Sequence, residues 1–330
     1  KLQGVHTHNK NHWLMSNYRV AANIEWTSKC NARCIMCPRD KIVAPRIMDK
    51  ALFQKVLTRL SSQDLFRVVI AGYGEPTTHP QFNEMIELLR GNPIQFDMVT
   101  NGQLLNQEKI AKIDGVIENI IISFSSINTK VYNRVHANLD QKIVLSNIIL
   151  ANKMLKKTKL IISLTPLSDC LETLPDTIAW FRKNGINALS MSPSLYDRAG
   201  ALDTKKESTT QILRKTIKDN KLHSQELDFI PSIGDVVKQW LANKVKCIPR
   251  NSDILISSTG YYMYCFNDIS HRHPIASVLE IGLREALELR EKTSVDNTVC
   301  AQCNLKKRYR SNEVLKVGIK YLSENFKNRV

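Results

Sequence analysis

Six short apolar-rich runs recur along residues 20–191: Val20 to Trp26, Arg67 to Ala71, Gln95 to Thr100, Asn119 to Phe124, Leu160 to Thr165 and Ala188 to Met191. Each has the length and composition of a strand. Helical periodicity fills the intervals. Leu52, Phe53, Val56, Leu57 and Leu60 repeat at the spacing of one helix face, and Ile143, Leu145, Ile148, Ile149 and Leu155 suggest a second, longer helix. Strand and helix in alternation argue for a parallel sheet with crossover helices, because parallel neighbours need a long connection to return the chain to the same end. Six such units predict an α/β fold, a partial (β/α)6 version of the eight-fold TIM-like barrel, whose chemistry sits at the C-terminal ends of the strands. At 330 residues the chain is long enough to bury that core and to carry an appendage.

The loop after the first run carries Cys30, Cys34 and Cys37 in the spacing C-x3-C-x2-C. It offers three thiolates to one centre. A cubane iron-sulfur cluster normally takes one thiolate per iron, so three would leave one iron open to an outside ligand. A structural zinc site closes its tetrahedron with four Cys or His ligands, but His6, His8 and His12 precede the strand, and Pro38, Arg39 and Asp40 offer no fourth.

A second set follows. Cys247 and Cys265 flank two strand-like runs, Asp253 to Ser257 and Tyr261 to Cys265, around the turn Ser258-Thr259-Gly260, which predicts a hairpin. Cys300 and Cys303 form a later close pair, so four thiolates suit either zinc or a fully ligated iron-sulfur cluster. The eighth cysteine, Cys170, lies just beyond the fifth run, at the catalytic end of a barrel. It reads either as a hydrogen-atom donor to a substrate radical or as a small buried apolar residue. In a chain of this size these cysteines read as metal ligands and reactive thiols rather than a disulfide framework, which places the protein in a reducing, cytoplasmic setting.

A formal net charge of +16 suits an acidic substrate, an acidic partner or nucleic acid. The excess is visible at Lys29, Arg33, Arg39, Lys41 and Arg46, and again at Lys306, Lys307, Arg308 and Arg310. No helix-in-groove or stacking motif accompanies it, which counts against nucleic acid. Neither a signal peptide nor a bilayer-spanning apolar run is visible, so no membrane partner is expected. Arg198, after the sixth run, is placed to meet an acidic group on a substrate. The expected organisation is an N-terminal extension at residues 1–18, the barrel at 19–200, a helical connection at 201–245 and a cysteine-bearing domain, hairpin plus helix, at 246–330.

With these motifs quoted, the chain resembles the radical S-adenosylmethionine (SAM) enzymes, whose cluster motif is C-x3-C-x2-C in the loop after the first barrel strand. The resemblance implies that Cys30, Cys34 and Cys37 hold a [4Fe-4S] cluster whose open iron chelates SAM. One electron, from a donor such as flavodoxin or ferredoxin, then yields a 5′-deoxyadenosyl radical that abstracts a substrate hydrogen atom. Met36 stands where the family has an aromatic residue near the adenine. Gly72-Tyr73-Gly74-Glu75-Pro76 resembles the family's Gly-Gly-Glu-Pro turn, with Tyr73 in place of the first glycine. Gly74, Glu75 and Pro76 are therefore expected at the methionyl amino group. Asn101, Ser123 and Arg134 resemble the groups that meet the ribose and carboxylate, and Ser125 stands where Asp is common.

The order Cys247, Gly260, Cys265 resembles the auxiliary-cluster domain of the SPASM and twitch branches. No cysteine follows Cys303, so the shorter twitch form is implied, with one auxiliary [4Fe-4S] cluster on Cys247, Cys265, Cys300 and Cys303. A cluster with no open iron suits electron transfer. The implied activity is an oxidoreductase (dehydrogenase) acting on a small polar metabolite such as a sugar or aminocyclitol. Two alternatives stand beside it. One is a peptide-modifying maturase or epimerase with Cys170 as hydrogen-atom donor, against which counts the shortness of the segment before Val20 for binding a leader. The other is a zinc-containing nucleic-acid-binding protein.

Overall fold

The computed structural model describes residues 19–42, 44–193, 207–229, 234–235 and 247–293, with single positions 300, 303 and 319. The N-terminal extension at residues 1–18 and residues 194–206, with Arg198, lie outside the described residues. In chain order the strands are β1 (Val20–Ile24), β2 (Arg33–Cys34), β3 (Leu65–Ile70), β4 (Phe96–Thr100), β5 (Asn119–Phe124), β6 (His136–Ala137), β7 (Lys159–Leu164), β8 (Leu189–Met191), β9 (His223–Ser224), β10 (Asp253–Ile256), β11 (Tyr261–Met263) and β12 (Pro274–Ser277). The six runs read from sequence are β1, β3, β4, β5, β7 and β8, displaced by a residue or two at their ends.

These six pair parallel in chain order, and β9 adds a seventh parallel strand. The alternation of side chains along each strand divides two environments. Ala22, Ile24, Val68, Ile70, Ile120 and Ile122 are buried in the main apolar core, whereas Ala21, Asn23, Arg67, Val69, Ile121 and Ser123 line an interior cavity. Each fully buried Ile or Val contributes about 1.5–3 kcal/mol, so the outer layer stabilises the barrel and leaves the inner one for chemistry.

The connecting helices are capped as their sequences allow. Helix α1 (Lys50–Thr58) starts at Asp49, which accepts the Leu52 N–H at 2.7 Å, and buries Phe53 and Val56. Helices α2 (Phe82–Glu87) and α3 (Gln107–Ile113) precede β4 and β5, and α4 (Thr129–Val135) leads into β6. Helix α5 (Gln141–Met154) corrects the expected stripe: Val144, Ile148 and Ala151 are buried, while Ile143 and Ile149 are 46% and 38% exposed. Asp140 caps the helix, accepting from the Lys142 and Ile143 N–H groups, and packing on the barrel core takes up Val144, Ile148 and Ala151.

The expected hairpin forms as β10 and β11, antiparallel, and Gly260 in its turn has φ +78°. A Cβ there would approach a Leu52 methyl to 2.8 Å. On its other edge β10 pairs parallel with β1. The sheet therefore runs unbroken from β12 through β10 and β1 to β9, because an incomplete barrel leaves the β1 edge with unpaired backbone groups that β10 satisfies. Among the described residues no helix is long and apolar enough to cross a membrane.

Candidate functional site

The first cysteine loop is fixed from beneath by Trp26, which packs edge-on against Phe53 at 5.3 Å and Phe82 at 6.0 Å. Beyond it, Cys30 Sγ receives the Ala32 N–H at 3.4 Å, and the Cys37 N–H donates to the Cys34 carbonyl at 2.9 Å. Cys34 lies opposite His136 in the β2–β6 ladder, with Sγ 3.2 Å from His136 Nδ1. Burial pushes the Cys30 thiol up to about 11 and the His136 imidazole down to about 4. Arg39 braces the loop, donating to the Tyr73 carbonyl at 2.6 Å and the Ser28 carbonyl at 2.9 Å.

The turn after β3 packs directly on this loop. A Cβ on Gly74 would sit 2.0 Å from the Thr27 carbonyl oxygen, so glycine is required by backbone approach. The next N–H, of Glu75, donates to the Lys29 carbonyl at 2.8 Å. The Glu75 carboxylate accepts from Thr77 N at 3.0 Å, Thr77 Oγ1 at 2.5 Å, Thr100 Oγ1 at 2.6 Å and Asn101 N at 2.7 Å. Burial pushes its pKa up while these donors oppose the shift. The carboxylate thus ties the turn to the end of β4. Asn101 in turn donates to Asn31 Oδ1 at 2.8 Å.

Tyr73 explains its own departure from glycine. Its ring stacks on Phe266 at 5.7 Å and its hydroxyl donates to the Phe266 carbonyl, beside Cys265. Its N–H donates to Glu25 Oε1 at 2.9 Å, and Glu25 Oε2 accepts from Ser258 Oγ at 2.8 Å. Glu25, fully buried at the end of β1, therefore joins the turn after β3 to the hairpin turn.

The second cysteine set lines the same cavity, of about 740 Å³, as the first. Asn267 donates from its backbone to Cys265 Sγ and from its side chain to Cys303 Sγ, both at 3.4 Å. Burial pushes Cys247 to about 11 and Cys265 to about 12, and the neighbouring thiols add to both shifts. Arg250 lies 4.9 Å over the Tyr264 ring and is held by Glu291 at 2.9 Å. Among the described residues no three His, Cys, Asp or Glu side chains converge as ligands of a single metal ion.

The cavity wall also carries ionisable groups from the strand interiors. Arg67 pairs with Asp97 at 2.7 Å and with Asp228 at 3.4 Å. Asp253 accepts from Asn23 Nδ2, and burial pushes its pKa up to about 7 against the opposing pull of Arg67 and Arg290.

Of the residues singled out from sequence, all seven cysteines of the two sets line this cavity, with Met36, Gly74, Glu75, Asn101 and Ser123. Pro76 is buried at the head of a short 3-10 turn and is not on the wall. Arg134 is 59% exposed, pairs with Asp169 at 3.0 Å and lies off the cavity. Cys170 also lies off it, 1% exposed in an apolar cluster with Val135 and Leu167, where burial pushes the thiol to about 12. Leu167, not Cys170, reaches the wall. Sequence reasoning missed Glu25, His136 and Asp253, whose partners are distant in the chain.

Residues 24–181 match the family model of the Radical SAM superfamily. The chain is 32% identical over 108 residues to an S-adenosylmethionine-dependent nucleotide dehydratase of Thermoplasmatales archaeon (strain ISO4-H5), a match covering 33% of this chain and 38% of that protein. It is 26% identical over 139 residues to a probable GTP 3′,8-cyclase of Thermococcus kodakarensis, covering 42% and 45%. The matches thus span less than half the length of these curated relatives. Streptococcus suis SuiB bound to S-adenosylmethionine shares the fold at TM-score 0.66 and 14% identity, covering 88% of this chain and 72% of that one. The anSMEcpe structure with bound AdoMet shares it at 0.62 and 15%, covering 89% and 85%.

Proposed function

We propose that this chain uses SAM and two [4Fe-4S] clusters to dehydrogenate a small polar metabolite. The observation that carries this reading is that a three-cysteine set and a four-cysteine set line one cavity. Three thiols suit a cubane with one iron left for SAM, and four suit a closed cluster. Met36, Gly74, Asn101 and Ser123 on the same wall provide the mixed apolar and polar surface that a nucleoside joined to an amino acid needs. Cys30, Cys34 and Cys37 would hold a cluster that, with SAM and one electron from a flavodoxin- or ferredoxin-type donor, would supply radical chemistry for hydrogen-atom removal, and Cys247, Cys265, Cys300 and Cys303 would hold a cluster able to accept an electron.

The chain's own groups handle position and protons. Converting an alcohol or amine carbon to a carbonyl or imine removes a hydrogen atom, an electron and a proton. Asp253 opens onto the cavity with a pKa of about 7, which suits it to take that proton from the substrate oxygen or nitrogen. Asn23 orients the carboxylate through its amide. The +16 charge favours an acidic substrate, and the relatives named for nucleotide chemistry bring nucleotides into that class. Peptide complexes are known for SuiB and anSMEcpe. An epimerase acting on a peptide would need a thiol on the cavity wall, and Cys170 packs away from it.

Anaerobic reconstitution tests the reading. About eight irons per chain are expected from two four-iron clusters, and Cys265→Ala should lose about four while keeping 5′-deoxyadenosine formation from SAM. Four irons with one bound zinc would overturn the dehydrogenase proposal.

A further inference from the structure

His136 is 1% exposed and stands where α4 gives way to β6. The backbone places it deliberately: Cys34 and His136 are register partners, and the Ile35 N–H donates to the Val135 carbonyl at 3.0 Å. The Tyr132 ring packs 5.0 Å from the imidazole. Nδ1 is 3.2 Å from Cys34 Sγ, and Nε2 is buried with no hydrogen-bond partner among the described residues.

An imidazole in this position could serve as a fourth metal ligand or as a hydrogen-bond donor to a ligand. Together with the cysteine triad it would complete a Cys3His set, the composition of a structural zinc site. No such convergence on a single ion exists among the described residues. The ring nitrogen instead faces the sulfur itself at N–H···S distance. A thiolate bound to iron has no proton and can only accept, so the hydrogen of that contact must sit on Nδ1.

We propose that His136 donates an Nδ1–H···S hydrogen bond to Cys34 when that thiolate ligates the three-cysteine cluster, raising the cluster's reduction potential. The inference rests on the reading that Cys30, Cys34 and Cys37 hold an iron-sulfur cluster. A hydrogen bond to a ligating sulfur withdraws electron density and favours the more negatively charged, reduced cluster. His136 is thus a positioning residue that acts through Cys34. It makes the cluster easier to reduce by a donor of modest potential.

The test compares reconstituted wild type, His136→Leu and His136→Asn by redox titration of the electron paramagnetic resonance signal that shifts on adding SAM, which distinguishes this cluster from the auxiliary one. In His136→Leu the ratio of reduced to oxidised cluster at a fixed applied potential should fall about tenfold, equivalent to about 59 mV for one electron. His136→Asn keeps an N–H near the Nδ1 position and should recover most of that loss. Wild type labelled with 15N-histidine should show a weak nitrogen coupling to the reduced cluster that His136→Leu lacks. An unchanged ratio in a fully iron-loaded His136→Leu protein would overturn the inference. So would a wild-type nitrogen coupling that is absent, or one as strong as a directly bound ligand gives, and these two readouts hold whichever variants fold. A wild type with full iron but no SAM-responsive signal overturns the underlying cluster reading as well.

Discussion

Asp253 and Cys170 show how burial redirects single residues. The folded state holds the Asp253 proton up to about pH 7, against 3.8 for the ordinary group. Its contribution to stability is therefore full below pH 3.8 and is lost as pH rises to about 7. At about 1.4 kcal/mol per unit the ceiling is about 4 kcal/mol, and its opening onto the cavity reduces that figure. Asp253→Asn should match wild type in urea unfolding at pH 4 and be more stable at pH 8, while dehydrogenation slows at least tenfold. Cys170→Ala should lose about 1 kcal/mol of stability for one buried atom and keep its turnover. Turnover lost with 5′-deoxyadenosine formation intact would return Cys170 to a donor role. The cysteine sets were legible because their ligand spacing is local. His136 and Asp253 were not, since Cys34 and His136 are 102 residues apart and Asn23 and Asp253 are 230 apart.

Among the elements, the strands were the easiest to read, since period-two burial and crossover helices leave a repeated pattern. The phase of α5 was harder, because an apolar count treats Ile143 and Val144 alike and only the packing of the helix on the barrel core decides between them. The turn after β3 was legible as a motif but not as a contact. Gly74→Ala would push a methyl to 2.0 Å from the Thr27 carbonyl, and forced backbone shifts of this kind cost about 1–3 kcal/mol. The expected result is a weakening of SAM binding by more than tenfold in equilibrium dialysis, with a lower Tm. Tyr73→Phe removes only the hydroxyl that reaches the Phe266 carbonyl. It should cost about 1 kcal/mol and leave the iron content near wild type, measured by denaturation and metal analysis.

For the whole molecule, the parallel barrel was predictable from the order of elements, whereas the seat of the hairpin was not. Nothing in the composition of β10 distinguishes a strand paired within an appendage from one added to the open edge of β1. Edge pairing depends on which backbone groups the rest of the fold leaves unsatisfied, and that is known only once the barrel is formed. Because β10 completes that edge, thermal unfolding of the barrel and hairpin should follow one transition by circular dichroism and by tryptophan fluorescence. Two separated transitions would mark independent units. The Glu25 carboxylate sharpens this point, accepting from Tyr73 on one oxygen and Ser258 on the other. It ties the turn after β3 to the hairpin turn, while Tyr73 of the same turn reaches on to Phe266 beside Cys265. Because tunnelling rates fall steeply with distance, the gap between the two proposed clusters would be set by these contacts within the protein rather than by whichever substrate occupies the space between.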